Sequence, residues 1–181
     1  MTTKPIIESG MTFGPYPDGY CFYIEQSETL KQLNKHAKKD EGVLIAELFL
    51  LRIGNAKNTI WIIEAKSSSP KPDNAVKFDE YITEIKEKLT NSLILSVAMY
   101  LKRHSEKLPT SFKSLDFEKT DFRLTLVIKN HQEAWLQPIQ DALRIALSPL
   151  AKTWALSANS VIVINDAIAQ EHGLISAVNK L

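Results

Sequence analysis

Residues 42–66 read GVLIAELFLLRIGNAKNTIWIIEAK, and the fold turns on how this stretch is paired. Residues 42–53 are apolar on both faces, which predicts a buried strand. GNAKN at 54–58 supplies turn residues, and TIWIIEAK at 59–66 predicts a second strand. Two strands joined by a short Gly/Asn turn predict an antiparallel hairpin. Glu64 and Lys66 lie two residues apart at the end of the second strand, so they share a face with Ile60 and Ile62.

Outward from the hairpin, the pattern alternates. SETLKQLNKHAKK (27–39) predicts a helix capped by Ser27, with Glu28 in its first turn and lysines in its last. After SSSP comes a long amphipathic stretch, 74–104, with Phe78, Ile82, Ile85, Leu89, Leu93, Val97 and Tyr100 at helical spacing. Residues 105–120 read as a loop. A strand follows at 121–129, then a helix that Pro138 and Pro149 are expected to interrupt. A strand at 160–165 and a short helix stopped by Gly173 complete the order. Residues 1–20, with several Pro and Gly, are expected to form an irregular arm ahead of a single α/β domain at 21–181. The fold class expected is a small mixed central sheet with helices on both faces.

Composition narrows function less. The 181 residues are 44% hydrophobic and 24% charged, with a net charge of +1, so any affinity for nucleic acid must come from a local basic patch. Cys21 is the only cysteine, which excludes an intrachain disulfide and a cysteine-based zinc site and fits a reducing cytoplasm. The first 20 residues lack the apolar core of a signal peptide, and no apolar run reaches the roughly 20 residues that cross a bilayer. A membrane partner is not expected.

Glu47 carries the chemical interest, because its neighbours at 44–46 and 48–51 are all apolar. An ionised carboxylate there needs a partner, a hydrogen bond or a metal. A turn centred near 56 brings Glu47 close to Glu64. Two such carboxylates are suited to Mg²⁺ or Mn²⁺, hard cations that favour oxygen donors. Lys66 would then orient an attacking water or stabilise the charge that develops on a phosphodiester. The bland reading is that Lys66 forms a structural ion pair with Glu64 or Glu47.

Glu47 followed by Glu64-Ala65-Lys66 at the next strand end, and then by a helix, resembles the PD-(D/E)XK nuclease superfamily of restriction-endonuclease-like fold. The stretches VLIAELFLLR and IWIIEAKSSSP also resemble small bacterial proteins that are nuclease-like by fold. The resemblance covers roughly residues 22–165. It departs from the family pattern in placing Ala46-Glu47 where Pro-Asp is usual; Pro17-Asp18 and Pro72-Asp73 fall outside the hairpin. It implies a metal-dependent endonuclease in which Glu47 and Glu64 hold the metal and Lys66 assists catalysis, with Glu28 or Glu25 completing the site. Nucleic acid is the implied partner, DNA ahead of RNA, with Ser67, Ser68 and Lys71 as contacts. A homodimer would bring two sites to two strands. The alternative is a non-catalytic binding or assembly subunit that keeps this fold.

Overall fold

The computed structural model describes residues 1–38, 41–157 and 159–176. Lys39, the last residue of the expected first helix, and residues 177–181 of the expected domain lie outside the described residues. The elements are β1 (Ile6–Glu8), β2 (Met11–Phe13), β3 (Cys21–Phe22), α1 (Glu28–Leu33), β4 (Leu48–Arg52), β5 (Asn58–Lys66), α2 (Ala75–Tyr100), α3 (Thr110–Lys113), β6 (Thr120–Ile128), α4 (Glu133–Thr153), β7 (Val161–Asn165) and α5 (Asp166–Glu171). Five strands form one mixed sheet in the order β3-β4-β5-β6-β7. The β3–β4 and β4–β5 pairs are antiparallel; β5–β6 and β6–β7 are parallel.

Strand alternation sorts the sheet into two buried faces. Ile60, Ile62, Leu124 and Leu126 face one core, which α2 closes with Ile85, Leu89 and Leu93 and α4 closes with Ile139, Leu143 and Leu147. Leu48, Leu50, Trp61, Ile63 and Val127 face the other. The expected helices on both faces are therefore unequal. The second face is covered mainly by the β1–β2 hairpin through Met11 and Phe13, together with Ala169 of the six-residue α5. The first 20 residues, expected as an irregular arm, thus contain a hairpin whose Met11 and Phe13 are buried.

Residues 12–16 and 174–176 are laced together. Phe13 bridges Ile175, Ser176 N donates to Thr12 O at 2.8 Å, and the Tyr16 hydroxyl donates to Leu174 O at 2.5 Å. Arg52 Nη2 adds hydrogen bonds to the carbonyls of His172 and Gly173.

Two helices differ from expectation. The first is capped by Ser27, whose Oγ accepts from Leu30 N, but ends at Leu33 rather than 39. Asn34 ends it by turning its amide onto both backbone groups of Val43, at 2.7 and 3.1 Å. The second is α4, which runs unbroken through Pro138 and Pro149. Each proline forfeits one backbone hydrogen bond. Both are exposed, and the stripe of Leu136, Ile139, Leu143 and Leu147 packed on the sheet outweighs that loss. Among the described residues, no helix is long and apolar enough to cross a membrane.

Candidate active site

Glu47 sits at the entry to β4, after a segment whose backbone bonds leave the sheet. Residues 42–53 were expected as one strand, yet the strand begins at Leu48. Ahead of it, Asn91 Nδ2 donates to Leu44 O at 3.0 Å and Ala46 N donates to Ser92 Oγ at 2.8 Å, so α2 satisfies this segment instead of a strand. Glu47 itself donates its N–H to Ile63 O at 3.0 Å and accepts from Glu25 N at 3.2 Å. The β4–β5 register pairs Leu48 with Ile63. One further step puts Glu47 beside Glu64, as the hairpin geometry predicts.

Three carboxylates gather at this end of β4. Glu8 comes from β1, Glu25 from the 3₁₀ turn Ile24–Gln26, and Glu47 from the entry to β4. One carboxylate oxygen from each lies within 4.8 Å of the other two. The Tyr23 hydroxyl donates to Glu8 Oε1. Glu47 is 5% exposed, and its pKa is raised from an ordinary 4.5 to about 9. Burial is the main cause, followed by a hydrogen bond with Glu25 and the charges of Glu64 and Glu25; Lys88 pulls the other way. Glu47 Oε2 is buried with no hydrogen-bond partner. A proton-holding carboxyl with an orphaned oxygen, facing two more carboxylates, is a donor set that fits a hard divalent cation.

Glu64 is fully buried and works with cations. Its Oε1 accepts from Lys88 Nζ at 2.8 Å and lies 3.2 Å from Lys66 Nζ, while its Oε2 has no partner. Burial raises its pKa, and the two lysines oppose that rise. Lys66 also donates to Glu84 of α2 at 2.7 Å. Burial acts to lower the Lys66 pKa, but Glu84 and Glu64 outweigh it and raise it. Lys88 Nζ reaches to 4.0 Å from Glu47 Oε1 and so stands between the two carboxylates. The sequence places a divalent ion between Glu47 and Glu64. The structure sets the Lys88 ammonium within reach of both and gathers Glu47 with Glu8 and Glu25.

Of the two glutamates offered to complete the site, Glu25 joins it and Glu28 does not. Glu28 is exposed and pairs with Lys31 at 2.7 Å. Ser67, Ser68 and Lys71 line a separate hollow beyond the end of β5. Burial pushes the Cys21 thiol up to about 12, so it is no nucleophile at neutral pH. Sequence reasoning missed Glu8, because the segment holding it reads as an irregular arm. Lys88 falls within the long amphipathic stretch at 74–104. Its position seven residues after Tyr81 and four after Glu84 sets all three along one flank of α2, beside the buried Ile85 and Leu89. That spacing was the available signal. The chain matches no family model, no curated protein and no solved structure.

Proposed function

We propose that the protein is a metal-dependent phosphodiesterase acting on nucleic acid, with a restriction-endonuclease-like arrangement of sheet and site. One observation carries the reading: a buried, proton-holding Glu47 meets Glu8 and Glu25 alongside the Glu64-Ala65-Lys66 strand end. The order of hairpin, long helix and parallel strand that follows agrees with it. Glu8, Glu25 and Glu47 would hold Mg²⁺ or Mn²⁺. When bound, the ion would acidify a water and neutralise charge on the phosphodiester. Glu47 would release its proton on loading. Lys66 would offer its ammonium to the phosphoryl oxygens from a site already set by Glu64 and Glu84. DNA ahead of RNA is the proposed substrate, and a homodimer would set two sites against two strands.

A second reading has its own observation. Lys66 and Lys88 both neutralise Glu64, which suits a structural ion cluster in a non-catalytic assembly subunit. Titration calorimetry with Mn²⁺, paired with hydrolysis of labelled oligonucleotides, separates the two. The enzyme reading expects metal binding that Glu25→Gln weakens at least tenfold. It also expects hydrolysis that Lys66→Ala abolishes while metal binding persists, because an ammonium is not a ligand. Undiminished hydrolysis by Lys66→Ala would remove that residue from the chemistry. No metal binding by the wild type would leave the assembly reading.

A further inference from the structure

Where β5 and β6 end, a hollow of about 310 Å³ opens between the serine loop that follows Lys66 and the start of α4. The two strand ends are tied by Lys129 N donating to Lys66 O at 2.9 Å, so the hollow begins where the strand bearing Glu64 and Lys66 stops. Residues 67–69, Lys71 and Lys129 line it, and Trp135 forms a wall; the Lys129 ammonium itself lies against Gly10 in the β1–β2 turn. A second hollow of about 250 Å³ shares Trp135, Lys71 and Pro72. The indole thus borders both hollows.

Trp135 is 51% exposed, which wastes a large apolar surface unless something covers it. It is also held in place. The His131 ring meets it edge-on at 5.6 Å and 71°, His131 Nε2 lies 3.3 Å from Ser69 Oγ, and Asn165 Nδ2 fixes His131 O at 2.9 Å. Burial lowers the His131 pKa, so this ring is a neutral wall and not a further cation. A flat apolar ring with the Lys71 ammonium and a run of serines beside it matches a ligand with a planar base and a phosphate. A bare phosphate would leave the indole uncovered, and an apolar peptide would leave Lys71 unmatched.

We propose that this hollow binds one unpaired nucleotide of a nucleic-acid strand, its base stacked on Trp135 and its phosphate on Lys71. The inference rests on the phosphodiesterase reading and names its substrate more closely: a single-stranded stretch or end. A base inside a duplex has no free face to offer the indole.

The test uses the full chain in chelator, so binding is read without cutting. Fluorescence anisotropy of a labelled single-stranded 12-nucleotide DNA and of the matching blunt duplex is measured at two ionic strengths. Trp135→Ala is expected to bind the single strand about tenfold more weakly, with an unchanged melting temperature, and Trp135→Phe to recover part of the loss. Lys71→Ala is expected to reduce the salt dependence. Equal single-strand affinity in wild type and Trp135→Ala overturns the proposal, as does a wild type that binds no single strand at low salt. Binding that depends on Trp135 in a protein that never hydrolyses with Mg²⁺ or Mn²⁺ sustains the subsite and overturns the phosphodiesterase reading.

Discussion

Glu47 is where the two readings of the site part, and its proton is the handle. The folded form keeps a proton that the unfolded chain, near its ordinary 4.5, gives up. A folded pKa raised above the unfolded one gives stability that is full below pH 4.5 and is lost as pH rises toward 9. Burial moves Glu64 the same way. Thermal melts in chelator should therefore show the contribution of Glu47 declining across that window, by at most about 1.4 kcal/mol per pH unit. Glu47→Gln keeps a donor toward Glu25 and has no charge to release. It should flatten the decline, melt above wild type at pH 8, and blunt the stabilisation by added Mn²⁺. A large fall in melting temperature at pH 8 would instead mark Glu47 as the ionised partner of Lys88. For Lys88 the expectation is opposite. Lys88→Met leaves the fully buried Glu64 with Lys66 as its remaining cation, and urea unfolding at pH 7 should record a loss on the order of 2 kcal/mol.

Among the elements, helix ends show what a sequence discloses and what it hides. Three helices stop in the same way, with a left-handed residue and paired backward hydrogen bonds. At α5 the residue is Gly173, with φ of 61°, and the sequence announces it. At α2 it is Lys102 and at α4 Ala155, with φ of 56° and 50°. Neither residue type signals a stop, so α2 reads four residues too long on pattern alone. Ala155 is exposed, and its Cβ brings strain with no compensating contact in the core. Ala155→Gly should raise stability by about 0.5–1 kcal/mol in urea unfolding. The same contrast governs the site. The β4–β5 hairpin, Glu47, Glu64 and Lys66 were legible because local alternation and a tight turn set their register. Glu8 and Lys88 were not, because the first depends on a distant hairpin folding over the sheet and the second on which flank of α2 faces it.

At the scale of the molecule, the β1–β2 hairpin is part of the core and of the candidate site together. Phe13 is fully buried on the second face, and Glu8 on the same hairpin reaches the carboxylate cluster. Phe13→Ala should cost about 3–5 kcal/mol by urea denaturation. In the folded fraction it should also weaken Mn²⁺ binding, although Phe13 offers no ligand atom. A variant destabilised by less than about 1 kcal/mol would return the segment to the status of an arm.

The lacing of residues 12–16 to residues 174–176 has a consequence for synthesis. Tyr16 and Leu174, joined by one hydrogen bond, stand 158 positions apart in the chain. A ribosome makes residue 16 early and must then add those positions before its partner exists, several seconds or more at the usual 5–20 residues per second. During that interval the hairpin can already meet Leu48, Leu50 and Trp61, but Ala169, Leu174 and Ile175, which complete that cluster, do not yet exist. The second face is thus seated early by the hairpin and sealed last by the contact of residues 174–176.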